Sequence, residues 1–423
     1  MRSNKIIVGI LLIVIGASYC YWHYILGPSG EVPANDKDVE PLLGDKPGDV
    51  VRIDLPPPIG TPLALPDRRI MLWSTAGDIH KQSAVARFSN DNGLTWSEPM
   101  ALFDFPQDRG AFSGGASLVS RSGTIHLFGL DYYNFNYENW FNDRQSCKSF
   151  LWHSRSTDGG KTWSPIQYVP FGLNYTGASN NAFQLSSGRI LVPISALSNR
   201  TTSVFVSVVP YSDDDGATWH VPPEQIVIHT GASDWYESGA VEPVGIELKD
   251  GRVWLLLRSQ DGYQWETFSE DGGLHWSPPR HTRFICNQSA MAVLRLRDGR
   301  LILFWNNCGA EGLGEIHWGN AERAVMAAAL SSDEGKTWVG YREVGRVTEN
   351  AQISYPYVTQ APDGHVLLSA AGHLMRINPE FLTNTRFTED FSGGIRRWSI
   401  LAAKGVEAVP IDHPIDREPR TLL

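Results

Sequence analysis

An eight-residue pattern, Ser-x-Asp-x-Gly-x-Thr-Trp, recurs five times and constrains the fold of this chain more than any other feature. The copies begin at residues 89, 156, 212, 269 and 331, and the fourth has His275 in place of the threonine. In such a turn the Asp side chain bonds the backbone, Gly supplies a positive φ and Trp packs against neighbouring strands. Each copy is therefore predicted to be the tip of one β-hairpin.

A second series consists of a tight turn followed by an alternating apolar strand, which is typical of a hairpin. It occurs six times, at residues 66–73, 121–129, 186–194, 249–258, 297–305 and 362–370. The spacing averages about 59 residues, enough for the four short strands of one propeller blade. We therefore expect an all-β fold, a six-bladed β-propeller over residues 50–383. The last blade has no box, and its fourth strand is expected from residues 50–55, which would close the ring.

Composition excludes several function classes. The chain has 36 Lys and Arg against 46 Asp and Glu, a formal net charge of −10, and no basic run interleaved with aromatic residues. Nucleic acid is therefore not expected as a partner. The four cysteines form no Cys-x-x-Cys pair and there is no His-Glu-x-x-His motif. No metal and no cofactor is expected.

The N-terminal segment predicts membrane attachment. Arg2 and Lys5 precede residues 6–26, a stretch of 21 residues without Asp, Glu, Lys or Arg, which is long enough to span a bilayer. The alternative is a cleaved signal peptide, which Tyr19 at the nearest exit site disfavours.

We accordingly expect residues 1–27 to be a signal anchor or transmembrane helix and residues 28–49 a stalk linker. The positive residues inside place the propeller on the extracytoplasmic, periplasmic or extracellular, side. Residues 384–423 form a tail too short for a globular domain of its own.

The boxes on six blades resemble the sialidase (exo-α-neuraminidase) superfamily, and the resemblance covers nearly everything after the stalk. It implies a glycoside hydrolase that releases a terminal, acidic sugar, sialic acid first, from glycoconjugates. In that family three arginines hold the sugar carboxylate, a tyrosine activated by a glutamate attacks, and an aspartic acid protonates the leaving oxygen. The boxes also occur in propellers that only bind, so the function depends on the site residues.

Glu242 and Arg258 lie 16 residues apart across one strand–turn–strand. This is similar to the family segment in which a Glu precedes a hairpin and a triad arginine ends its return strand. An antiparallel pair brings both residues to one end of the blade. The alternative is a surface ion pair of little energetic worth. Arg323, eight residues before the fifth box, is similar to another triad arginine of the family.

Tyr355 lies eight residues before Asp363 of the last hairpin and matches the position of the family nucleophile. Tyr357 would share its strand face, and a buried strand tyrosine is the alternative interpretation of either residue. Asp78, which follows Gly77, lies in a loop similar to the one that carries the acid/base Asp of the family. An ordinary turn aspartate is the alternative there.

Two features depart from the family pattern. Residues 56–63, where the first triad arginine is expected, contain no arginine. The nearest arginines, Arg52, Arg68 and Arg69, lie at different offsets, and Arg109 could supply the missing charge from a loop. A second-blade aspartate of the family is replaced within residues 112–116.

Aromatic residues are concentrated at 131–140 and at 234–237, the latter including Trp235 and Tyr236. Aromatic faces stack on sugar rings, so these segments are expected to shape substrate binding, with interblade packing as the alternative. Two other functions stay open, an enzyme of the same fold acting on another sugar such as a uronate, and a non-catalytic glycan-binding propeller.

Overall fold

The computed structural model describes residues 48–383 and two short strands near the C-terminus, apart from residues 79–80, 108, 135–145, 173–175, 200–203, 230–237, 261, 287, 308–322 and 348–351. The chain divides into two compact units, Met1–Thr383 and Asn384–Leu423. The expected anchor, and all of the expected stalk before residue 48, lie outside the described residues. Within the described part of the chain, no helix is long and apolar enough to span a membrane.

Five four-stranded antiparallel sheets make up most of the first unit, and four of them use strands that are consecutive in the chain. The first sheet contains β2 (Thr61–Ala64), β3 (Ile70–Asp78), β4 (Lys81–Ser89) and β5 (Met100–Asp104). The second contains β6 (Ala111–Val119), β7 (Ile125–Tyr133), β8 (Lys148–Ser156) and β9 (Gln167–Val169). The fourth contains β16 (Val241–Glu247), β17 (Val253–Arg258), β18 (Tyr263–Ser269) and β19 (Arg280–Ile285). The fifth contains β20 (Ala292–Arg295), β21 (Leu301–Trp305), β22 (Val325–Ser331) and β23 (Val339–Arg346).

The sixth sheet joins the two ends of the unit. It contains β24 (Tyr357–Gln360), β25 (Val366–Ala370), β26 (His373–Ile377) and, on its outer edge, β1 (Val50–Ile53). Strand β1 runs antiparallel to β26, with Val50 opposite Ile377 and Ile53 opposite Leu374. The prediction that the N-terminal segment supplies this fourth strand is confirmed. The innermost strand β2 contacts both β24 and β6, so the sixth sheet packs beside the first.

The third sheet group differs from the others because two prolines interrupt it. It consists of two three-stranded sheets made of β10 (Phe183–Gln184), β11 (Ile190–Leu191) and β14 (Tyr211–Ser212), and of β12 (Ile194–Asn199), β13 (Val204–Val208) and β15 (Ser238–Gly239). Pro193 separates β11 from β12, and Pro210 separates β13 from β14. A proline has no N–H to donate to a sheet, so each strand breaks where it occurs.

All six sheet groups have the same turn between their first two strands. In each, a glycine or arginine N–H donates to the carbonyl three residues earlier, at 2.9 to 3.1 Å, with acceptors Leu65, Ser120, Leu185, Leu248, Leu296 and Ala361. The six hairpins predicted from the turn-and-strand series are confirmed.

The five boxes form the tips between the outer strands of the first five groups. In four copies the Asp carboxylate accepts the Thr hydroxyl at 2.6 Å, and in the fourth copy His275 Nδ1 lies 2.6 Å from Asp271. Box glycines such as Gly93 have a positive φ, as predicted. Boxes and turns lie at the same end of their sheets, which we call the box face; the opposite end is the site face.

The apolar core lies between neighbouring sheet groups. Trp73 of the first group packs against Trp152 of the second, with ring centroids 6.0 Å apart. Phe304 of the fifth group belongs to the same buried cluster as Leu368 and Met375 of the sixth. The unit is therefore an all-β, propeller-type fold, as predicted. A 3₁₀ helix, Pro379–Thr383, ends the unit. In the second unit only β27 (Pro410–Ile411) and β28 (Thr421–Leu422), an antiparallel pair, are described.

Two histidines and an aspartate form a buried polar chain between the second and third groups. His153 Nε2 lies 3.0 Å from His126 Nδ1, and His126 Nε2 lies 3.3 Å from Asp215 of the third box. Burial lowers the pKa of His126 to about 4, although Asp215 opposes the shift, and burial lowers that of His153 well below its usual value. Arg155, whose guanidinium donates to the Asp215 carbonyl, also opposes a second positive charge. Both histidines are therefore neutral in the folded protein at pH 7.

This chain of groups makes the stability fall on acidification. A histidine whose folded pKa is depressed contributes its full stability above pH 6.5 and loses it as the pH falls towards 4. For His126 the loss between pH 7.5 and pH 5 is about 2 kcal/mol. We expect the unfolding free energy from urea titration to fall less over this range in His126→Gln than in the wild type. Equal losses in both proteins would contradict this assignment, since the remaining histidines are common to both.

Candidate active site

The predicted site residues Glu242, Arg258, Arg323 and Tyr355 all lie at the site face, because of strand direction. In an antiparallel hairpin the start of one strand lies beside the end of its partner. Glu242 is the second residue of β16 and Arg258 is the last residue of β17, where Val241 pairs with Arg258. Arg323 precedes β22, and Tyr355 precedes β24, both by two residues.

Glu242 and Arg258 form a buried ion pair. Arg258 Nη1 lies 2.7 Å from Glu242 Oε2, and the two side chains are 0% and 5% exposed. The surface ion pair considered from the sequence is therefore excluded. A buried pair requires both partners, because either charge alone would remain desolvated and uncompensated.

The same arginine holds Tyr355. Arg258 Nη1 donates to the Tyr355 hydroxyl at 3.4 Å, so one nitrogen joins the carboxylate and the phenol. On the other side, the Arg323 guanidinium lies 5.2 Å from the centroid of the Tyr355 ring. Arg323 is fixed by donation from Nη2 to the Gln288 carbonyl at 2.6 Å. The Tyr355 hydroxyl thus accepts a hydrogen bond from Arg258, and the face of its ring lies against the Arg323 guanidinium.

Glu242 and Tyr355, which both contact Arg258, have an uncommon backbone conformation. Glu242 has φ 45° and Tyr355 has φ 55°, in the left-handed region that non-glycine side chains rarely adopt. Such residues cost on the order of 1–3 kcal/mol each and cluster at active sites and ligand clamps. At Glu242 the pairing of β16 with β17 shifts register between Val241 and Val244, a bulge that redirects a side chain.

Tyr357, the alternative to Tyr355, has a different role in the structure. Its hydroxyl donates to the Ser179 carbonyl at 3.2 Å, which joins the sixth group to the segment between β9 and β10. Burial raises the pKa of Tyr357, and the charge of Glu242 raises it further, so its phenol stays neutral. The expectation that the two tyrosines share a strand face is wrong, because Tyr355 lies outside β24 in a left-handed conformation.

The remaining predicted residues are less closely tied to this cluster. Asp78, the last residue of β3, is exposed at the site face of the first group, where its backbone lies opposite Lys81 in the pairing of β3 with β4. Trp235 and Tyr236 lie outside the described residues, as does most of the aromatic segment after Asn134.

Arg109 stacks on the outer strand of the second group. Its guanidinium lies 5.0 Å from the centroid of Tyr168, whose hydroxyl donates to Asp131 at 2.7 Å. Within residues 56–63, where the first arginine of the family was expected, Gly60 has no space for a side chain, because a Cβ would lie 2.0 Å from the Trp73 carbonyl. Thr61 there donates to the Gly115 carbonyl at 2.7 Å.

The structure also reveals residues that the sequence interpretation missed. Asn306, Ser289 and Gln264 are fully buried polar residues directly beneath the cluster, and Asn306 bonds the backbone close to Tyr355. The sequence could have indicated Asn306 only through its position, because it directly follows the apolar strand Leu301–Trp305.

Removal of Arg258 should be costly. We expect Arg258→Met to lose about 3–5 kcal/mol of unfolding free energy because Glu242 stays buried without its partner, and Arg258→Met/Glu242→Met to lose less. Arg252→Met, six positions earlier on the same hairpin, removes an exposed pair with Asp250 and should cost about 1 kcal/mol or less. Urea unfolding measures all three, and similar losses for Arg252→Met and Arg258→Met would refute the buried-pair argument.

Comparisons with known proteins agree with this architecture. A sialidase of Micromonospora viridifaciens is 27% identical over 311 residues, which cover 67% of this chain and 44% of the relative. The intramolecular trans-sialidase from Ruminococcus gnavus, solved in complex with oseltamivir carboxylate, superposes with a TM-score of 0.56 at 17% identity, over 77% of this chain and 95% of that one. A Dyadobacter fermentans protein of unknown function superposes with a TM-score of 0.57 at 18% identity, over 82% of this chain and all of that one. These two likenesses show the fold.

The aligned region is less than half the length of the Micromonospora sialidase, which is the larger protein. The BNR repeat-like domain family matches residues 108–368, more than half of the chain. Together with the five boxes and the sialidase relatives, this match establishes that the chain belongs to the BNR repeat-like domain family of the sialidase/BNR-repeat superfamily.

Proposed function

We propose that this protein is a six-bladed propeller exo-glycosidase of sialidase type, which releases a terminal acidic sugar, with sialic acid as the leading substrate. The observation that carries the proposal is the convergence on Arg258, whose Nη1 lies 2.7 Å from the Glu242 carboxylate and 3.4 Å from the Tyr355 hydroxyl. A base and a nucleophile oriented by a third group is the arrangement that activates a weak nucleophile. The sialidase relative and the trans-sialidase neighbour support the same reaction class.

The proposed mechanism retains the anomeric configuration. The Tyr355 oxygen attacks the anomeric carbon while its proton passes to Glu242, the glycosidic C–O bond breaks, and Asp78 protonates the leaving oxygen. Water then attacks the glycosyl–tyrosine, giving a proton to Asp78, and Tyr355 leaves with the proton returned by Glu242. A neutral phenol suits this step because the substrate carboxylate does not repel it, and two successive displacements give retention.

Arg258 and Arg323 would hold the substrate carboxylate, without a third arginine from the first blade. Loss of one charge-assisted hydrogen bond costs about 1.5–3 kcal/mol, or roughly 10- to 150-fold in affinity. A uronoside, which also carries a carboxylate, is the second candidate substrate. Trp235 and Tyr236 are proposed to contact the sugar.

A matched pair of tyrosine variants tests the assignment. We expect a fluorogenic α-sialoside to be hydrolysed by the wild type, and Tyr355→Phe to lower kcat on the order of 10³-fold or more, because it removes a group that acts in the transition state. Glu242→Gln should lower kcat by about 10²–10⁴-fold as loss of a general base. Tyr357→Phe, which loses only its bond to Ser179, should stay within about fivefold.

Glycosides of other acidic sugars complete the panel. Hydrolysis of a glucuronide but not of a sialoside would show that the substrate is a uronoside, and the proposed roles of Tyr355 and Glu242 would stand. If no glycoside is hydrolysed and the protein binds a glycan on an array, the protein is a glycan-binding propeller and not an enzyme.

We also propose that residues 1–27 anchor the protein in a membrane, with the propeller on the extracytoplasmic side, from the uncharged stretch 6–26 and the preceding Arg2 and Lys5. The full-length chain should sediment with membranes and be accessible to external protease, whereas a chain that begins at residue 45 should stay in the supernatant. If expression of the full-length sequence gives a soluble protein whose N-terminus lies beyond residue 20, the segment is a cleaved signal peptide instead.

A further inference from the structure

Tyr355 requires external support to keep its conformation. It lies outside the hydrogen-bonded strand β24, with φ 55°. A non-glycine residue persists in this region only when its surroundings over-determine it. The groups that fix the segment before Tyr355 therefore decide where the phenol lies.

Asn306 supplies the main link to that segment. It directly follows β21 and is 0% exposed. Its amide Nδ2 donates to the Val325 carbonyl at 2.7 Å and to the Ile353 carbonyl, two residues before Tyr355, at 2.8 Å. Its Oδ1 accepts the hydroxyl of Ser289. Both donors and the acceptor of the amide are thus used, so the side chain has one orientation.

The same chain of buried polar groups continues towards Arg258. The Ser289 carbonyl accepts Gln264 Nε2 at 2.7 Å, and Gln264 lies on β18, the strand beside β17. Gln264 also contacts the Cys286 thiol at 3.1 Å, and burial raises the pKa of that thiol to about 11, so it stays protonated. Gln264, Ser289 and Asn306 therefore connect the fourth, fifth and sixth groups beneath the cluster.

Arg323 depends on the same support. Its carbonyl accepts the Ile353 N–H at 2.8 Å, and its guanidinium donates to the carbonyl of Gln288, the residue before Ser289. Asn306 and Arg323 therefore both bond the backbone of Ile353, two residues before Tyr355.

We propose that Asn306 is a positioning residue, which acts through Ile353 to hold Tyr355 in its left-handed conformation against Arg258 and Arg323, with Ser289 fixing the orientation of the Asn306 amide. This inference rests on the proposed function for its kinetic consequence, whereas its structural consequence is independent of that function. Asn306 itself does not contact the reacting atoms.

Asn306→Asp keeps the shape of the side chain and removes both Nδ2 donors, which leaves an oxygen opposite two carbonyls. We expect kcat on the reactive glycoside to fall about 100-fold with KM changed by less than about threefold, since a displacement near 1 Å has this effect on an aligned nucleophile. Crystal structures should show Tyr355 outside the left-handed region, or its ring displaced from Arg323.

Ser289→Ala is the milder variant and has a matched control. Ser289 and Ser154 are both buried serines that each donate a hydroxyl, Ser154 to the Ser164 carbonyl in the second group, far along the chain from the cluster. We expect Ser289→Ala to lower kcat about tenfold, and Ser154→Ala to change it by less than about twofold despite a similar fall in Tm. If Asn306→Asp does not fold, this pair decides the inference.

Folded variants that retain Tyr355 at φ near 55° beneath Arg323, with kcat unchanged, would overturn the positioning role. So would equal kinetic losses in Ser289→Ala and Ser154→Ala. If the wild type hydrolyses no glycoside, the proposed function is wrong, and the crystal structures of Asn306→Asp and Ser289→Ala alone decide whether Asn306 holds Tyr355.

Discussion

The antiparallel pairing of successive strands is the constraint on which the rest of this structure depends. Because innermost strands begin and second strands end at the same edge, residues far apart in the chain reach one face. Glu242 and Arg258 meet from one hairpin, and Tyr355 arrives from the sixth group, 97 residues after Arg258. The boxes and the tight turns form the opposite ends of the hairpins, so the candidate site residues all lie at the site face.

Burial raises the free-energy cost of the charges in this cluster. A guanidinium that is 0% exposed is tolerated because a carboxylate 2.7 Å away compensates it, and the same nitrogen then orders the phenol. The strained backbones of Glu242 and Tyr355 add to the free-energy cost, and no local strand pairing repays it at Tyr355. The compensation comes from the buried amide and hydroxyl groups beneath, which explains why polar side chains occupy core positions there.

The repeats predicted the sheets because each repeat is a local signal, with turn and strand within ten residues. They also predicted the closing strand β1, since the last repeat lacked a fourth strand. Pro193 and Pro210 were visible in the sequence. Whether a proline ends a strand or only bends it depends on whether its backbone nitrogen faces a neighbouring strand, where a hydrogen bond would be missing. The alternation of side chains along a strand could not distinguish Tyr355 from Tyr357, because alternation holds only within a strand and Tyr355 lies outside β24.

Long-range hydrogen bonds set a further limit on what the sequence could predict. Asn306 and Ile353 are 47 residues apart, and their bond joins the fifth and sixth groups, whose separation depends on the packing of all the sheets. A polar residue after an apolar strand predicts only that its side chain needs a partner. By contrast, the 16-residue spacing of Glu242 and Arg258 lies within one hairpin, where register fixes the approach.

The charge of the whole protein opposes an acidic substrate, so the local arrangement must dominate. A formal net charge of −10 repels an anion at long range, but at physiological ionic strength this field is screened within about 8 Å. Arg323 acts within that distance, and its guanidinium is already oriented over the Tyr355 ring by Gln288. Arg258 contributes less net attraction than its charge suggests, because Glu242 neutralises it. Under the proposed function, recognition of a substrate carboxylate at this face would depend chiefly on Arg323, and Gly60, where a Cβ would lie 2.0 Å from the Trp73 carbonyl, leaves no room for a further arginine.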